Sequence, residues 1–181
     1  PLVSREHMRA SLGYGSRYLI SHCVPGGYDD PNYQAVFDDY LEYYRAHSSE
    51  KTAPYPGIIE LLGRLKASGV HCAIVSNKPD SAAQVLGERW FSGLVEAVVG
   101  AREGIRRKPA PDSVLEVMRM LGSKHKDTVY NGDSEVDIET AANAGVDCIS
   151  VTWGFRTPEQ LRESGAEVLV SDAKELEQSL N

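Results

Sequence analysis

Two carboxylates one helical turn apart, Asp133 and Asp137, stand just past an apolar run that stops at Gly132. In Val129-Tyr130-Asn131-Gly132-Asp133-Ser134-Glu135-Val136-Asp137 the first residues read as a strand, and Gly132 lets the backbone turn off it. Residues 138–144 continue as a helix of small residues. Paired carboxylates at the C-terminal edge of a strand suit a hard divalent cation such as Mg2+, which takes oxygen ligands and neutralises phosphate charge. Simple capping of the helix by Asp133 or Ser134 is the competing reading.

Two other passages place polar groups after apolar runs. Ser76-Asn77-Lys78 puts a hydroxyl, an amide and an ammonium in a row, with Pro79 and Asp80 at a helix start. The Ser76 hydroxyl and backbone N–H groups near that helix N-terminus could hold a phosphate, or the segment is a capping turn. The run 100–112 concentrates Arg102, Arg106, Arg107 and Lys108 in an otherwise acidic chain. Lys108, between a strand and a proline-started helix, is placed to balance phosphate charge, while Arg106 and Arg107 read as solvated surface.

The elements that would position these groups alternate. Residues 57–68 form a helix with Ile58, Leu61, Leu62 and Leu65 on one face, closed by Gly69. Strands are predicted at 70–75, 95–99, 128–131, 148–152 and 168–170, with helices at 81–89, 112–121, 135–143 and from about 173 onward. Strand alternating with helix implies an open parallel sheet with helices on both faces, a Rossmann-like α/β fold whose ligands sit at the C-terminal strand edge. Hydroxyl, lysine and paired carboxylates on successive strand ends then make a phosphate site with a metal.

The first fifty residues read differently. Residues 4–24 predict helix, a break at Gly13-Tyr14-Gly15, and helix again. A further helix over 32–47 carries Tyr33, Val36, Phe37, Tyr40, Leu41 and Tyr44 as an apolar stripe, read as core. The polar, proline-bearing passage 51–56 marks a boundary, giving an all-helical domain at 1–52 and an α/β domain at 53–181.

Composition narrows the function. The 181 residues are 41% hydrophobic and 25% charged, and no apolar run approaches the length of a membrane span, which predicts a cytoplasmic protein. With 19 basic against 26 acidic side chains the net charge is −7, so neither a nucleic-acid nor a membrane partner is expected. Cys23, Cys72 and Cys148 are too far apart for a zinc site and suggest no disulfide framework.

The passages Ser76-Asn77-Lys78-Pro79, Arg107-Lys108-Pro109-Ala110-Pro111-Asp112 and Gly132-Asp133-Ser134-Glu135-Val136-Asp137 resemble, in that order, the second, third and fourth motifs of the haloacid dehalogenase superfamily of phosphohydrolases. Tyr55-Pro56-Gly57 and Val151-Thr152-Trp153-Gly154-Phe155-Arg156 are similar to its phosphoglycolate phosphatases. The resemblance implies Mg2+-dependent hydrolysis of a small phosphorylated organic acid, 2-phosphoglycolate first, through an aspartyl-phosphate. It assigns phosphoryl oxygens to Ser76 and the Asn77 backbone, charge stabilisation to Lys108 and the metal to Asp133. Asp137 would orient Lys108 or a metal-bound water. Gly13-Tyr14-Gly15-Ser16-Arg17 resembles the cap segment that reaches over the site, which makes Arg17 a candidate for the substrate's carboxylate; Lys78 is a further substrate-binding candidate, and the leading helices are a partial cap. Another phosphatase or mutase of the superfamily, or a noncatalytic binding module, remains the alternative.

One part of the pattern is absent. The superfamily's first motif, Asp-x-Asp-Gly-Thr after the first strand, supplies its nucleophile, and nothing here matches it: Asp29-Asp30 and Asp38-Asp39 follow no buried strand. The expectation is a truncated chain that is inactive as given. The resemblance implies that the missing strand lies between those ending near Val75 and Asn131, leaving a gap to be closed by a missing N-terminal segment, by strand pairing with another chain or by a rearranged sheet.

Overall fold

The computed structural model describes residues 3–180. The chain opens with helices α1 (Arg5–Ala10), α2 (Ser16–Ser21) and α3 (Tyr33–His47). From α4 (Ile58–Ala67) onward strands and helices alternate: β1 (Ala73–Pro79), α5 (Asp80–Phe91), β2 (Ala97–Ala101), α6 (Asp112–Leu121), β3 (Val129–Gly132), α7 (Glu135–Ala144), β4 (Asp147–Val151), α8 (Pro158–Glu163), β5 (Val168–Val170) and α9 (Ala173–Ser179). Every strand pairing is parallel, in registers such as Ala73 with Ala97, Val129 with Asp147 and Ile149 with Val168. This is a Rossmann-like α/β fold.

The sheet comes in two pieces. β1 pairs with β2, and β3, β4 and β5 pair in that order, but β1 and β3 do not pair with each other. Among the described residues no strand covers their facing edges. On β3 Val129 is 38% exposed and Asn131 is exposed, whereas Ile149, Ser150 and Val151 on β4 are buried. Unpaired strand edges carry N–H and C=O groups that must otherwise be solvated.

Side-chain alternation sorts the core between two faces. On one, Val114 and Met118 of α6 pack with Tyr130 of β3 and with Ala141 and Ala144 of α7. Val117 of α6 packs with Ala97 and Val99 of β2. Val75 joins both clusters, so α6 lies beneath both sheet pieces and ties them. On the other face Leu61 of α4 meets Ile149, Val151 and Val170 with Ala173 and Leu176 of α9. α5 presses on β2 so closely that a Cβ on Gly87 would come within 2.7 Å of Val98.

The leading helices have their own small core of Ile20, Tyr33 and Phe37, with Val24, Tyr40 and Leu41 against it. The aromatic stripe of α3 is therefore only partly core: Val36 is 38% exposed, Tyr44 lines a cavity, and Tyr40 both packs on this core and lines that cavity. The stripe is wider than the surface available to cover it.

Several boundaries move. β1 begins at Ala73 rather than Val70, because the Val70 N–H closes α4 on the Leu65 carbonyl, and the Cys72 N–H goes to the Glu96 carboxylate. It also continues through Ser76 to Pro79, with a register shift after Val75. β2 begins at Ala97 rather than at 95, since the N–H groups of Leu94 and Val95 turn back on Phe91. Helix α8 was not anticipated, although Thr157 and Gln160 cap it reciprocally with Pro158 in its first turn. Gly69 does adopt the left-handed conformation, φ 80°. The three cysteines are free, and burial pushes the Cys148 thiol up to about 11. Among the described residues no helix is long and apolar enough to cross a membrane.

Candidate active site

The C-terminal ends of β1 and β3 open on one cavity of about 380 Å3, lined by Ser76, Asn77, Lys78, Lys108, Asp133 and Asp137 among others. Each of these was singled out from sequence, and folding brings them together from segments far apart in the chain. Arg17 does not line this cavity; it lines a smaller adjoining one, its guanidinium 4.5 Å above the Phe37 ring.

Lys108 and Asp137 form the centre. The Lys108 Nζ donates to Asp137 Oδ1 at 2.7 Å and to the Tyr130 hydroxyl at 3.0 Å. Their side chains are only 11% and 8% exposed. Asp137 is saturated: Oδ1 also accepts from the Tyr130 hydroxyl, and Oδ2 accepts from the Ser134 hydroxyl at 2.6 Å and the Asp133 N–H at 3.2 Å. Burial alone would raise the Asp137 carboxyl, but the Lys108 charge and these hydrogen bonds hold it below the usual range. Burial would likewise lower Lys108, but Tyr130 and Asp137 outweigh it and keep the ammonium above its ordinary value. Burial, with Asp137 alongside, raises the Tyr130 phenol. Around neutral pH the set is ammonium, carboxylate and neutral phenol.

This arrangement changes the reading of two residues. Ser134 occupies the N-cap position of α7 but makes no capping bond; its hydroxyl is spent on Asp137. Gly132 is needed less for a turn than for space, because a Cβ there would fall 2.1 Å from the Asp137 Cβ.

Asp133 reaches the cavity from the first loop residue after β3. Its Oδ2 accepts the Phe155 N–H at 2.9 Å, and Gly154 permits that approach, since a Cβ on Gly154 would lie 2.2 Å from the Asp133 Cβ. Among the described residues no group of three or more His, Cys, Asp or Glu is gathered to hold a metal. Among the described residues Asp133 is the carboxylate that reaches the cavity without being fully bonded, its Oδ1 accepting no donor. Mg2+ keeps several waters and is often bound by one or two carboxylates plus phosphate oxygens; Asp133 supplies one such carboxylate, and the resemblance expects the ion to be held weakly by it alone, without a second carboxylate from the superfamily's first motif.

Ser76 Oγ accepts the Lys78 N–H at 3.1 Å, which leaves its hydroxyl hydrogen for the cavity. The Asn77 side chain is buried and occupied, donating to the carbonyls of Gly13 and Lys108 and accepting the Lys108 N–H, each at 2.9 Å. It clamps the β1 end to the lysine loop, so only its backbone is free to meet a ligand. Lys78 holds its ammonium 5.6 Å from the Tyr44 ring centre.

Two contributors escaped the sequence reading. Tyr130 in a strand looks like core, and only its phenol contact with both charges reveals more. Arg156 is 7% exposed, pairs with Glu135 at 2.6 Å and donates to the carbonyls of Arg9, Ala10 and Leu12. Burial opposes the Glu135 charge, but Arg156 pulls that carboxyl below its usual value. Arg156 thereby fastens the strap between α1 and α2 over the mouth. The strap passes Ser134 and Val136 at Gly13, and Asn77 at Gly15, bridging both sheet pieces.

A family model described as haloacid dehalogenase-like hydrolase matches residues 2–151. A phosphoglycolate phosphatase of Pseudomonas aeruginosa is 29% identical over 97% of this chain, which spans 66% of that protein's length. The phosphoglycolate phosphatase of Rhodobacter capsulatus is 32% identical over 83% of the chain and 69% of its own length. A crystal structure from Lactobacillus delbrueckii subsp. bulgaricus, provisionally assigned as a phosphoglycolate phosphatase, superposes with a TM-score of 0.90 at 36% identity. It covers 98% of this chain, which in turn covers 83% of it.

Proposed function

This chain belongs to the haloacid dehalogenase-like hydrolases, and on that footing we propose that the intact protein hydrolyses a small phosphate monoester, 2-phosphoglycolate foremost, through an aspartyl-phosphate. The observation that carries this reading is the buried Lys108 ammonium, fixed by Asp137 and Tyr130 beside the cavity that Ser76 and Asp133 share. A preorganised positive charge at a strand-end cavity favours the charge that develops on a transferring phosphoryl group.

In this reading Ser76 and the Asn77 backbone bind phosphoryl oxygens, Lys108 balances their charge, and Asp137 keeps Lys108 in place. Lys78 sits where it can meet the rest of the substrate. Mg2+, when bound, would supply further positive charge against the phosphate, with Asp133 as its carboxylate from this chain. Residues 1–52 serve as a cap over the α/β domain at 53–181.

The attacking carboxylate must come from elsewhere, because Asp137 is saturated and Asp133 is assigned to the metal. A strand entering between β1 and β3 would place its last residues at the same mouth, and the unpaired edges there support this source. Its aspartate would bond to phosphorus as the ester oxygen leaves, and water would then break the acyl phosphate. By itself the chain is expected to release no phosphate.

Phosphate release is measured for the chain alone and for the chain fused at its N-terminus to a strand ending in Asp-x-Asp-Gly-Thr. The expected result is silence from the first and Mg2+-dependent hydrolysis by the second, abolished by D133A or a chelator. Release by the chain alone, lost in K108A, would refute the imported attacker. A fusion silent on every ester would favour the second reading, a noncatalytic phospho-ligand module.

A further inference from the structure

A second cavity of about 180 Å3 adjoins the first and shares Ser16, Tyr44 and Asn77 with it. One side is apolar, from the buried Phe37 and Ala82. The other carries three exposed guanidiniums brought from separate elements: Arg17 on α2, Arg45 on α3 and Arg107 on the loop before α6. Among the described residues none of the three forms an ion pair, whereas the neighbouring Arg106 is paired with Asp112 at 2.7 Å and Arg102 with Glu116 at 2.6 Å. The sequence reading that treated Arg106 and Arg107 alike therefore separates: Arg106 is neutralised outside, and Arg107 lies within reach of Gly15 beside the strap.

Like charges gathered around one cavity repel unless an anion lies among them, and a net charge of −7 makes such a cluster more distinctive. Guanidiniums recognise carboxylate and phosphate oxygens by paired N–H donors. We propose that this second cavity is a binding subsite for the second acidic group, carboxylate or phosphate, of a phosphate monoester whose phosphoryl group occupies the first. The inference rests on the phosphatase reading for the first cavity and extends it: the preferred substrates are bis-anionic esters, selected by Arg17, Arg45 and Arg107 together. Helices α2 and α3 supply two of the three, so the helical segment contributes directly to selection.

The test is calorimetric binding to the 181-residue chain of four probes: inorganic phosphate, ethyl phosphate, 2-phosphoglycolate and fructose 1,6-bisphosphate. At least one bis-anionic ester is expected to bind about tenfold tighter than ethyl phosphate, and R45Q and R107Q to lose about three- to fivefold each on that ester. Both variants are expected to leave ethyl phosphate unchanged, and R45K to retain most of the affinity. Unchanged bis-anion binding in R45Q and R107Q would overturn the subsite. So would equal losses on ethyl phosphate, which would mark a general surface field, or equal losses on inorganic phosphate, which would mark a free-anion site. K108Q separates the two readings: if it leaves all four probes unaffected, the phosphoryl site has failed, while the losses in R45Q still report on the subsite.

Discussion

Replacing Asp137 with Ala tests the centre of the site most directly. The substitution strips four donors of their acceptor: the Lys108 ammonium at 2.7 Å, the Tyr130 hydroxyl at 3.1 Å, the Ser134 hydroxyl at 2.6 Å and the Asp133 N–H at 3.2 Å. The ammonium, 11% exposed, is left with one neutral phenol. Removing one partner of a buried ion pair typically costs about 3–5 kcal/mol, a large share of the roughly 5–15 kcal/mol that holds a domain. Y130F removes one hydroxyl from the same network and should cost only about 0.5–1.5 kcal/mol. Urea titration of both variants, at constant slope, gives the difference. The pH dependence sharpens it. Asp137 titrates below its ordinary 3.8 when folded, so its contribution is present above that value and fades as pH falls through the lower folded one. Lys108 titrates above its ordinary 10.5, so its share is complete below that and fades only in stronger alkali. The D137A penalty should therefore be flat from about pH 5 to pH 9 and shrink in acid. A penalty below about 1 kcal/mol, or one that persists undiminished at low pH, would refute the account of a buried, interdependent pair.

Other substitutions probe the surroundings. G154A puts a Cβ 2.2 Å from the Asp133 Cβ and should cost about 1–3 kcal/mol by urea titration. By displacing the Asp133 carboxylate it should also remove the Mg2+ dependence proposed for phosphate release by the fused protein. R156Q removes the anchor of the strap; thermal unfolding should report a loss of about 1–3 kcal/mol, and amide exchange should quicken along the segment whose Arg9, Ala10 and Leu12 carbonyls it holds. Asp133 accepts, among the described residues, only the Phe155 N–H, so D133A should change stability by about 1 kcal/mol or less while removing the proposed Mg2+ binding, read by calorimetry.

The parts legible in sequence were those set by local rules. Apolar periodicity and Gly69 located the helices and the parallel strands, and spacing after each strand located Ser76, Lys108 and Asp133. What escaped depends on contacts between distant segments. The start of β1 could not be read from the run 70–75, because Glu96 intercepts the Cys72 N–H twenty-four residues away. Tyr130 carries the same pattern as any half-buried strand residue; its phenol matters only because Lys108 arrives from a different loop. Arg106 and Arg107 are adjacent and alike in sequence, yet one meets Asp112 and the other a cavity. Gly132 was legible as special but for a different reason, since the Asp137 side chain that excludes a Cβ there folds back from the next helix. The missed α8 is the exception, for its capping signature was local and present at Thr157, Pro158 and Gln160.

The divided sheet makes the site behave as a caliper. Ser76 stands on one jaw and Asp133 on the other, and among the described residues no ladder of backbone hydrogen bonds joins β1 to β3. α6 acts as the spring beneath them and the Arg156-anchored strap as the stop above. The reach from a phosphate-binding hydroxyl to a metal-binding carboxylate is accordingly set by whatever backbone lies between β1 and β3. Its hydrogen bonds at a spacing of about 4.8 Å per strand would act as the gauge block that brings the site to its working dimension.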